Sequence, residues 1–374
     1  PFEHVRRQIE TSSRRPIFRA MGKNKVRYAV VGLGHFAQKA ILPAFARAKK
    51  RSALVALVSS DPKKLRKLGK SYGVEHCVDY DGLDALCSSD AIDAVYLATP
   101  NDTHRALVER VAPHGIHVLV EKPMAVTEED CAAMLRVCRE HACKLMVAYR
   151  LHFEEANLSA VELVRSGSIG APRFFHSTFS FQVRGDNDIR TRPRSDGGGP
   201  LYDIGTYCIN AARSLFGEEP TEVVGLAARG ADARFARVEE QVAAILRFPN
   251  ERLATFTVGL GAAKSSAYEI VGDAGKLRVD PAYAYQGELA LELTVGDRKP
   301  RRERWKARDQ IAPEIAYFSE CILKGLEPEP SGQEGLADVR VIRALYRSID
   351  EGRAVRLDEL RNDARPTAGA QPAR

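Results

Sequence analysis

The feature that most constrains the fold is a regular alternation of apolar runs and helical segments between residues 26 and 148. Apolar runs such as VRYAVVGLG, LVALVSS, AVYLATP and HVLVEKP alternate with amphipathic segments such as DTHRALVERVA and TEEDCAAMLRVCREH. Strands that alternate with helices of about 10–15 residues predict a parallel, doubly wound sheet. Because the strand segments are apolar throughout, we expect helices to cover both faces of this sheet.

The pattern changes after residue 150. Segments such as RFFHSTFSF, QVAAILRF and ERLATFTVGL have a period of two, and short turn signals such as PNE and GDAG join them, which predicts antiparallel hairpins. A chain of 374 residues is also too long for one ordinary core. We therefore predict an α/β plus α+β protein: a basic extension over 1–24, a Rossmann domain over 25–148, an α+β domain with a large, mostly antiparallel sheet over 149–357, and a polar tail over 358–374.

Charge and composition limit the class of function. Residues 1–27 hold eight Lys or Arg residues against two Glu residues, which accounts for most of the net charge of +7. The rest of the chain is close to neutral, so we expect no nucleic-acid partner. No apolar run approaches the ~20 residues that cross a bilayer. The seven cysteines form no CxxC pair and the nine histidines form no cluster, so we expect no metal and a cytoplasmic protein. The segment SSRRPIF is similar to an export signal but lacks the apolar stretch that should follow it.

A glycine-rich turn follows the first strand. The segment VGLGHFA places Gly32, Gly34 and Ala37 in a GxGxxA pattern, with His35 and Phe36 inside it. The first glycine allows a tight turn, the second lets a pyrophosphate approach the backbone, and the alanine permits close packing of helix on strand. The helix that follows offers free N–H groups to the phosphates. The position between a strand and a helix favours dinucleotide binding over a merely connecting turn.

The end of the second strand indicates which dinucleotide binds. NAD-binding folds usually place an acidic residue there to bond the ribose 2′-hydroxyl. This chain has Ser59 at that position, with Asp61, Lys63 and Lys64 behind it. A serine with lysines nearby favours a 2′-phosphate and hence NADP over NAD. Asp61 keeps NAD as the alternative, and the lysines would otherwise form a solvated helix face.

Polar side chains follow two further strands at the same edge of the predicted sheet. They are Thr99, Pro100, Asn101 and His104 after one strand, and Glu121, Lys122 and Pro123 after the next. Ligands bind at this edge in open parallel sheets. Lys122 is either a surface lysine or an active-site cation, and Pro123 favours the second interpretation because it fixes the direction of the chain.

The segment GGGPLYDIGTYCIN, residues 197 to 210, contains Asp203 and Tyr207 four residues apart. This spacing places both side chains on one face of a helix that starts near Pro200. We expect the three glycines to allow a tight turn and a close approach to a bound ligand. The structural alternatives are a core tyrosine and an aspartate that stabilises the start of a helix.

Together, GLGHFA, ATPNDTH, VEKPMAVT and GGGPLYDIGTYCIN, in this order, resemble the Gfo/Idh/MocA oxidoreductases, over residues 25 to 356. Many relatives carry His where this chain has Tyr207, and the Tyr is similar to the glucose–fructose oxidoreductase branch. The resemblance implies a nicotinamide cofactor at the Rossmann edge and a sugar between cofactor and antiparallel sheet. It also implies that Ser59 and Lys64 contact the ribose phosphate and that Arg150 belongs to the cofactor site. The catalytic residues it implies are Lys122, Asp203 and Tyr207.

The chemistry supports these roles. Oxidation of a sugar CH–OH needs a group that removes the hydroxyl proton while hydride leaves. Tyrosine is a poor base at its reference pKa of about 10, but a nearby ammonium favours the phenolate. We therefore predict an NADP-dependent sugar oxidoreductase with Tyr207 as acid/base and Lys122 as its electrostatic partner. A dehydrogenase of cyclic diols or inositols and a non-catalytic dinucleotide sensor are the alternatives. By the same resemblance we expect a homodimer or homotetramer.

Overall fold

A computed structural model describes residues 24–185 and 188–357. Its first sheet has six strands, all of whose neighbouring pairs are parallel, in the order β3-β2-β1-β4-β5-β6. The strands are β1 (Val26–Val31), β2 (Ser52–Val58), β3 (His76–Val78), β4 (Ala94–Leu97), β5 (His117–Glu121) and β6 (Leu145–Ala148). This is the strand order of a dinucleotide-binding Rossmann domain. The predicted parallel, doubly wound sheet is therefore confirmed.

Helices connect these strands. A π-helical turn, Ala37–Ile41, continues into α1 (Leu42–Ala48), and α2 (Pro62–Tyr72), α3 (Leu83–Ser88), α4 (His104–Val111) and α5 (Glu128–Glu140) follow. The start of α2 shows how the sequence fixes a boundary: the Asp61 carboxylate accepts hydrogen bonds from the Lys63 and Lys64 amides, and Pro62 occupies the first turn. Gly73 ends α2 in a left-handed conformation.

The second sheet has nine strands in the order β14-β13-β12-β11-β7-β10-β9-β8-β15. They are β7 (Pro172–Gln182), β8 (Glu222–Ala228), β9 (Gln241–Phe248), β10 (Arg252–Gly259), β11 (Gly261–Gly272), β12 (Gly275–Val279), β13 (Leu289–Val295), β14 (Arg301–Trp305) and β15 (Val355–Arg356). Apart from β7 and β10, which pair in parallel, the described neighbours are antiparallel. The predicted, mostly antiparallel second sheet is confirmed.

One face of this sheet is covered and the other is open. Along β9 every second residue is buried, as the period-two pattern predicts. The buried face packs against α6 (Glu155–Arg165), α7 (Thr206–Phe216) and α9 (Gly332–Glu351). A π-helical turn, Leu201–Gly205, leads into α7.

The helix α8 (Ile311–Lys324) follows β14 in the chain and returns to the first sheet. Ile315 and Phe318 share a core with β1 and α1, and the Ser319 hydroxyl lies 2.9 Å from the Tyr28 hydroxyl on β1. The C-terminal part of the chain therefore covers one face of the Rossmann sheet. The predicted division at residue 148 stays a prediction, and the predicted extension and tail lie almost wholly outside the described residues.

Over the described residues, no helix has the length and apolarity needed to cross a membrane. In the same part of the chain, no group of three or more His, Cys, Asp or Glu side chains is arranged to hold a metal ion.

Candidate active site

The glycine loop after β1 leaves space where a dinucleotide would lie. Gly32 has a φ of +92°, and a Cβ there would stand 2.5 Å from the Ala98 carbonyl oxygen, so only glycine fits. A Cβ on Gly34 would meet no atom within 4 Å, because this glycine faces open space. Ala37 is buried against the sheet, whereas His35 and Phe36 are exposed beside the loop. These residues fit a dinucleotide pyrophosphate, which needs an unobstructed backbone at the second glycine.

The end of β2 favours a phosphate over a free ribose hydroxyl. Ser59 lies at this end, and its Oγ accepts a hydrogen bond from the Asp61 amide at 3.2 Å. The Asp61 carboxylate caps α2, accepting from the Lys63 amide at 2.9 Å and the Lys64 amide at 3.1 Å. Its second oxygen lies 3.8 Å from the Lys64 ammonium. Because the carboxylate is already engaged by α2, it is poorly placed to serve a ribose hydroxyl.

The loop after β4 lies beside the glycine-rich segment of the second domain. Asn101 donates a hydrogen bond to the Gly197 carbonyl at 3.1 Å, and Thr99 accepts one from Thr103 at 2.8 Å. Thr99, Pro100 and Asn101 are half-buried. The structure therefore brings these three predicted residues to the crevice.

His104 occupies a different position from the other predicted cofactor residues. Its ring is fully buried, with Nδ1 3.0 Å from the Met124 carbonyl and Nε2 3.1 Å from the Thr99 carbonyl. Burial lowers the pKa of His104, so the ring is neutral and donates to one carbonyl at a time. His104 thus ties the loop after β4 to the loop after β5 from below the surface.

Lys122 follows β5 and reaches across to the second domain. Its ammonium donates to the Asp203 backbone carbonyl at 2.7 Å and lies 3.5 Å from the Asp203 carboxylate. It also lies 4.8 Å from the centre of the Tyr207 ring. A cis peptide bond joins Lys122 to Pro123. The three predicted catalytic residues therefore meet in the structure, although about eighty residues separate Lys122 from the other two.

Asp203 lies between two cations. In addition to Lys122, the Arg190 Nε donates to its carboxylate at 2.5 Å. Burial acts to raise the pKa of Asp203, but the charges of Arg190 and then Lys122 outweigh burial and hold the pKa below its usual value. Asp203 is consequently an anion that fixes both cations.

Tyr207 also lies between two cations. The Arg150 Nε donates to the Tyr207 hydroxyl oxygen at 3.2 Å, and the Arg150 guanidinium lies 4.9 Å from the ring centre. Arg150 is itself buried and held by Gln310 and by the Tyr283 carbonyl at 2.5 and 2.8 Å. Arg150 was predicted as a cofactor residue, and in the structure it contacts the hydroxyl of Tyr207, the acid/base candidate.

The three glycines before Pro200 form a tight turn that packs against other parts of the protein. Gly197 and Gly199 have φ values of +75° and +100°, which confirms a tight turn. The close approach, however, is to the protein itself. A Cβ on Gly198 would lie 2.0 Å from the Arg192 carbonyl oxygen, and one on Gly199 would lie 2.6 Å from the Glu239 carboxylate. The missing side chains of Gly198 and Gly199 therefore allow the dense packing before α7, and the expected approach of these glycines to a ligand stays a prediction.

Known proteins are similar to this chain over most of its length. The Gfo/Idh/MocA model, an oxidoreductase family with an NAD-binding Rossmann fold, matches residues 26–149, and the C-terminal domain model of that family matches residues 158–278. A D-xylose 1-dehydrogenase (NADP⁺) of Haloarcula marismortui is 35% identical over 341 residues, which cover 90% of this chain and 94% of the relative. This chain belongs to the Gfo/Idh/MocA oxidoreductase family.

Two crystal structures of this family are also similar. An aldose–aldose oxidoreductase from Caulobacter crescentus, complexed with glycerol, has a TM-score of 0.84 and 38% identity and covers 89% of this chain and 100% of its own. A 3-ketoreductase from Actinomadura kijaniata, in complex with NADP and TDP-benzene, has a TM-score of 0.79 and 26% identity, covering 87% and 98%. The predicted family and the prediction of an enzyme that acts on CH–OH groups are confirmed.

Sequence reasoning missed Arg190 and Gln310 of this Gfo/Idh/MocA member. Arg190 lies in the loop QVRGDNDIRTRPRSD, which holds four arginines without a spacing that singles one out. Gln310 precedes α8, more than a hundred residues from the nearest predicted site residue. The one available signal was the position of that loop just before the glycine-rich segment, which indicates proximity to the site but not which arginine takes part.

Proposed function

We propose that this protein is an NADP-dependent oxidoreductase that transfers hydride between the nicotinamide and a sugar, at a CH–OH or C=O carbon of an aldose or ketose. The observation that carries the proposal is the position of Tyr207 between the Lys122 ammonium and the Arg150 guanidinium. Arg150 bonds the phenol oxygen and Lys122 lies against the ring of the same side chain, so positive charge stands beside the group that would remove the proton.

Proton movement follows from this geometry. The Tyr207 oxygen takes the proton of the reacting hydroxyl as sugar is oxidised and returns it in the reverse direction. Arg150 donates to the same oxygen and so orients it. Lys122, fixed by the Asp203 carbonyl at 2.7 Å, stabilises negative charge that develops on the reacting oxygen. NADP, when bound, supplies the hydride acceptor, and the sugar lies between it and these side chains.

Three observations support NADP. Gly34 faces space that a pyrophosphate fits, the Asp61 carboxylate is engaged by α2, and Ser59 and Lys64 stand at the end of β2 where a 2′-phosphate would lie. The names of the H. marismortui relative and of the A. kijaniata structure both include NADP.

The names of the relatives support a sugar substrate. The H. marismortui relative is named a D-xylose 1-dehydrogenase, and the C. crescentus structure is named an aldose–aldose oxidoreductase. A sugar also fits the polar side chains of the site, because the Tyr207 hydroxyl and the Lys122 ammonium can bond sugar hydroxyl groups.

The test replaces the proposed acid/base. Tyr207→Phe should lower kcat for aldose oxidation with NADP by about 10²- to 10⁴-fold, because the general base is lost. NADPH binding, followed by fluorescence, should stay as in the wild type. Tyr202→Phe is the matched control, since Tyr202 lies in the same segment but donates to the Val126 carbonyl at 2.7 Å in the core. Turnover that survives in Tyr207→Phe would reject Tyr207 as the base, and a wild type that oxidises no aldose would reject the substrate class.

We also propose that the open face of the second sheet joins two copies of this chain. Exposed apolar side chains lie on four neighbouring strands, β7, β10, β9 and β8: Phe174, Val224, Leu226, Ile245 and Leu253. The register places Val224 opposite Ile245 and Leu253 opposite Phe174, so they form one surface. A contiguous apolar surface of this kind marks an association site.

A further inference from the structure

Below Lys122, a buried tyrosine joins two carboxyl groups. The Tyr96 hydroxyl on β4 lies 2.9 Å from Glu121 Oε1 at the end of β5 and 3.2 Å from Glu314 Oε1 on α8. Tyr96 and Glu314 are both fully buried, whereas Glu121 is half-buried beside the crevice. The second oxygen of Glu314, Oε2, is buried and has no hydrogen-bond partner.

If both carboxyls are ionised, the cluster has too few hydrogens for its two hydrogen-bond contacts. A tyrosine hydroxyl has one hydrogen to donate. If both carboxyls are ionised, the Tyr96 hydroxyl donates to only one of them. Its oxygen then faces an oxygen of the other carboxylate with no hydrogen between them. A second proton on one of the carboxyls resolves this conflict, because that carboxyl then donates to the Tyr96 oxygen.

The surroundings decide which carboxyl carries the proton. Glu121 precedes Lys122 in the chain and is partly open to the crevice, so a negative charge there is less costly than one on the fully buried Glu314. No cation bonds Glu314 directly within the described residues, and its Oε2 lacks even a neutral donor. An unpaired buried carboxylate is far more costly than a buried neutral acid.

We infer that Glu314 is a neutral carboxylic acid that donates to Tyr96, so that Tyr96 donates to Glu121 and positions the Glu121 carboxylate beside Lys122. Glu314 and Tyr96 are thus positioning residues for the active site. The consequence for catalysis rests on the proposed function, whereas the charge states of the two carboxyls do not.

The charged groups around the cluster agree with this assignment. The groups that face Glu314 are Glu121, Tyr96, Arg150 and Asp309. Burial, followed by the charge of Glu121, raises the pKa of Glu314 well above its usual value, and Tyr96 and Arg150 oppose the rise without cancelling it. Burial also raises the pKa of Glu121, but Lys122, Tyr96 and Arg150 oppose that rise.

The first experiment measures the proton on Glu314 by infrared spectroscopy of the full chain. At neutral pH the wild-type spectrum minus the Glu314→Gln spectrum should contain the carbonyl band of one protonated carboxyl group. The amide of Gln keeps a donor toward Tyr96, so the variant preserves the shape of the site. Glu320→Gln is the control on the same helix, because Glu320 pairs with Lys324 outside the cluster, and its difference spectrum should lack the band. Absence of the band from the Glu314 difference spectrum overturns the inference.

The second experiment tests the positioning of Glu121. Tyr96→Phe removes the donor to Glu121, so Glu121 should ionise at a higher pH, about one pH unit or tenfold in proton affinity, as expected for one hydrogen bond to a charged group. Its carboxyl band, identified by its loss in Glu121→Gln, reports the shift without any turnover. Tyr28→Phe is the matched control: Tyr28 is equally buried on the adjacent strand and contacts α8 through Ser319. A shift in both variants, or in neither, overturns the positioning role.

The same variants separate this inference from the proposed function. If sugar oxidation occurs, the acidic limb of the pH profile of kcat/KM should move to higher pH in Tyr96→Phe but not in Tyr28→Phe. If the wild type oxidises no sugar, the proposed function fails, and the infrared bands still decide whether Glu314 is neutral.

Discussion

At the scale of single residues, one anion of the site, Asp203, fixes two cations. Asp203 bonds Arg190 and contacts Lys122, and these contacts join the loop before the glycines to the end of β5. The pair of cations explains why a mostly buried carboxylate remains ionised. Removal of this one charge therefore affects both the stability of the fold and the placement of Lys122.

We expect Asp203→Asn to lower the free energy of unfolding by about 2 kcal/mol at neutral pH, because two partly buried cations lose their shared anion. The pKa of Asp203 is lowered in the folded protein, so its stabilising contribution is present above the unfolded value of about 3.9. As the pH falls below that value toward the folded pKa, the contribution is lost. Urea unfolding of both proteins from neutral to acidic pH should thus show a difference that shrinks only below about pH 4.

Asp188→Asn is the control for this substitution. Asp188 contacts the same Arg190 guanidinium at 3.0 Å. Removal of the Asp188 charge leaves the contact between Asp203 and Lys122 intact. We expect a smaller loss of stability and an unchanged kcat. An equal loss of kcat in both variants would mean that Arg190, rather than Lys122, is the partner through which Asp203 acts.

At the scale of elements, similar glycines serve different purposes. Gly34 opens onto empty space after β1, whereas Gly198 is pressed against the Arg192 carbonyl before α7. Both stand in segments that the sequence identifies as functional. At Gly34 the absence of a side chain leaves space for a ligand, whereas at Gly198 it lets the chain pack closely. This difference provides a test.

Gly198→Ala should lower the free energy of unfolding by about 3 kcal/mol, because its Cβ would stand 2.0 Å from a backbone oxygen that cannot move alone. Gly34→Ala should leave stability within about 0.5 kcal/mol. It should instead weaken NADPH binding by about tenfold or more, because its Cβ fills the space for the pyrophosphate. Thermal unfolding and NADPH titration of both variants check this pair. Unchanged NADPH affinity in Gly34→Ala would place the pyrophosphate elsewhere.

The predictions that held at this scale have local causes. The strand and helix of the GxGxxA turn, the alternation along β9 and the i, i+4 pair of Asp203 and Tyr207 follow from patterns within about ten residues. The packing of the three glycines and the missed Arg190 depend on what lies across a loop. A sequence shows that Gly198 must have no side chain, but it does not show that the Arg192 carbonyl is the reason.

At the scale of the whole molecule, α8 links the two domains at the site. Gln310, at its start, bonds Arg150 beneath Tyr207, and Glu314, one turn later, contacts Tyr96 beneath Glu121. This helix follows eight of the nine strands of the second sheet in sequence, yet it packs on the first sheet. The apolar spacing of PEIAYFSECILKG predicts this helix, but no local pattern shows that it returns to the first sheet and supports the site.

The open sheet face is the other feature that belongs to the whole molecule. Leu226, on β8, is 73% exposed on this face; Ala243 lies opposite it on β9, next to the pair of Val224 and Ile245. Burial of such a surface against a second copy removes apolar area from water. Light scattering of the wild type should thus give a multiple of the monomer mass of 41.2 kDa. Leu226→Glu should shift the mass toward the monomer, because association would bury an unpaired charge.

Leu326→Glu is the control for this surface, since Leu326 is 53% exposed in the connection between α8 and α9, away from the sheet. Its mass should equal that of the wild type. A wild-type mass of 41.2 kDa would reject association outright. An oligomer that survives Leu226→Glu would assign association to another surface and leave the sheet face to a different partner.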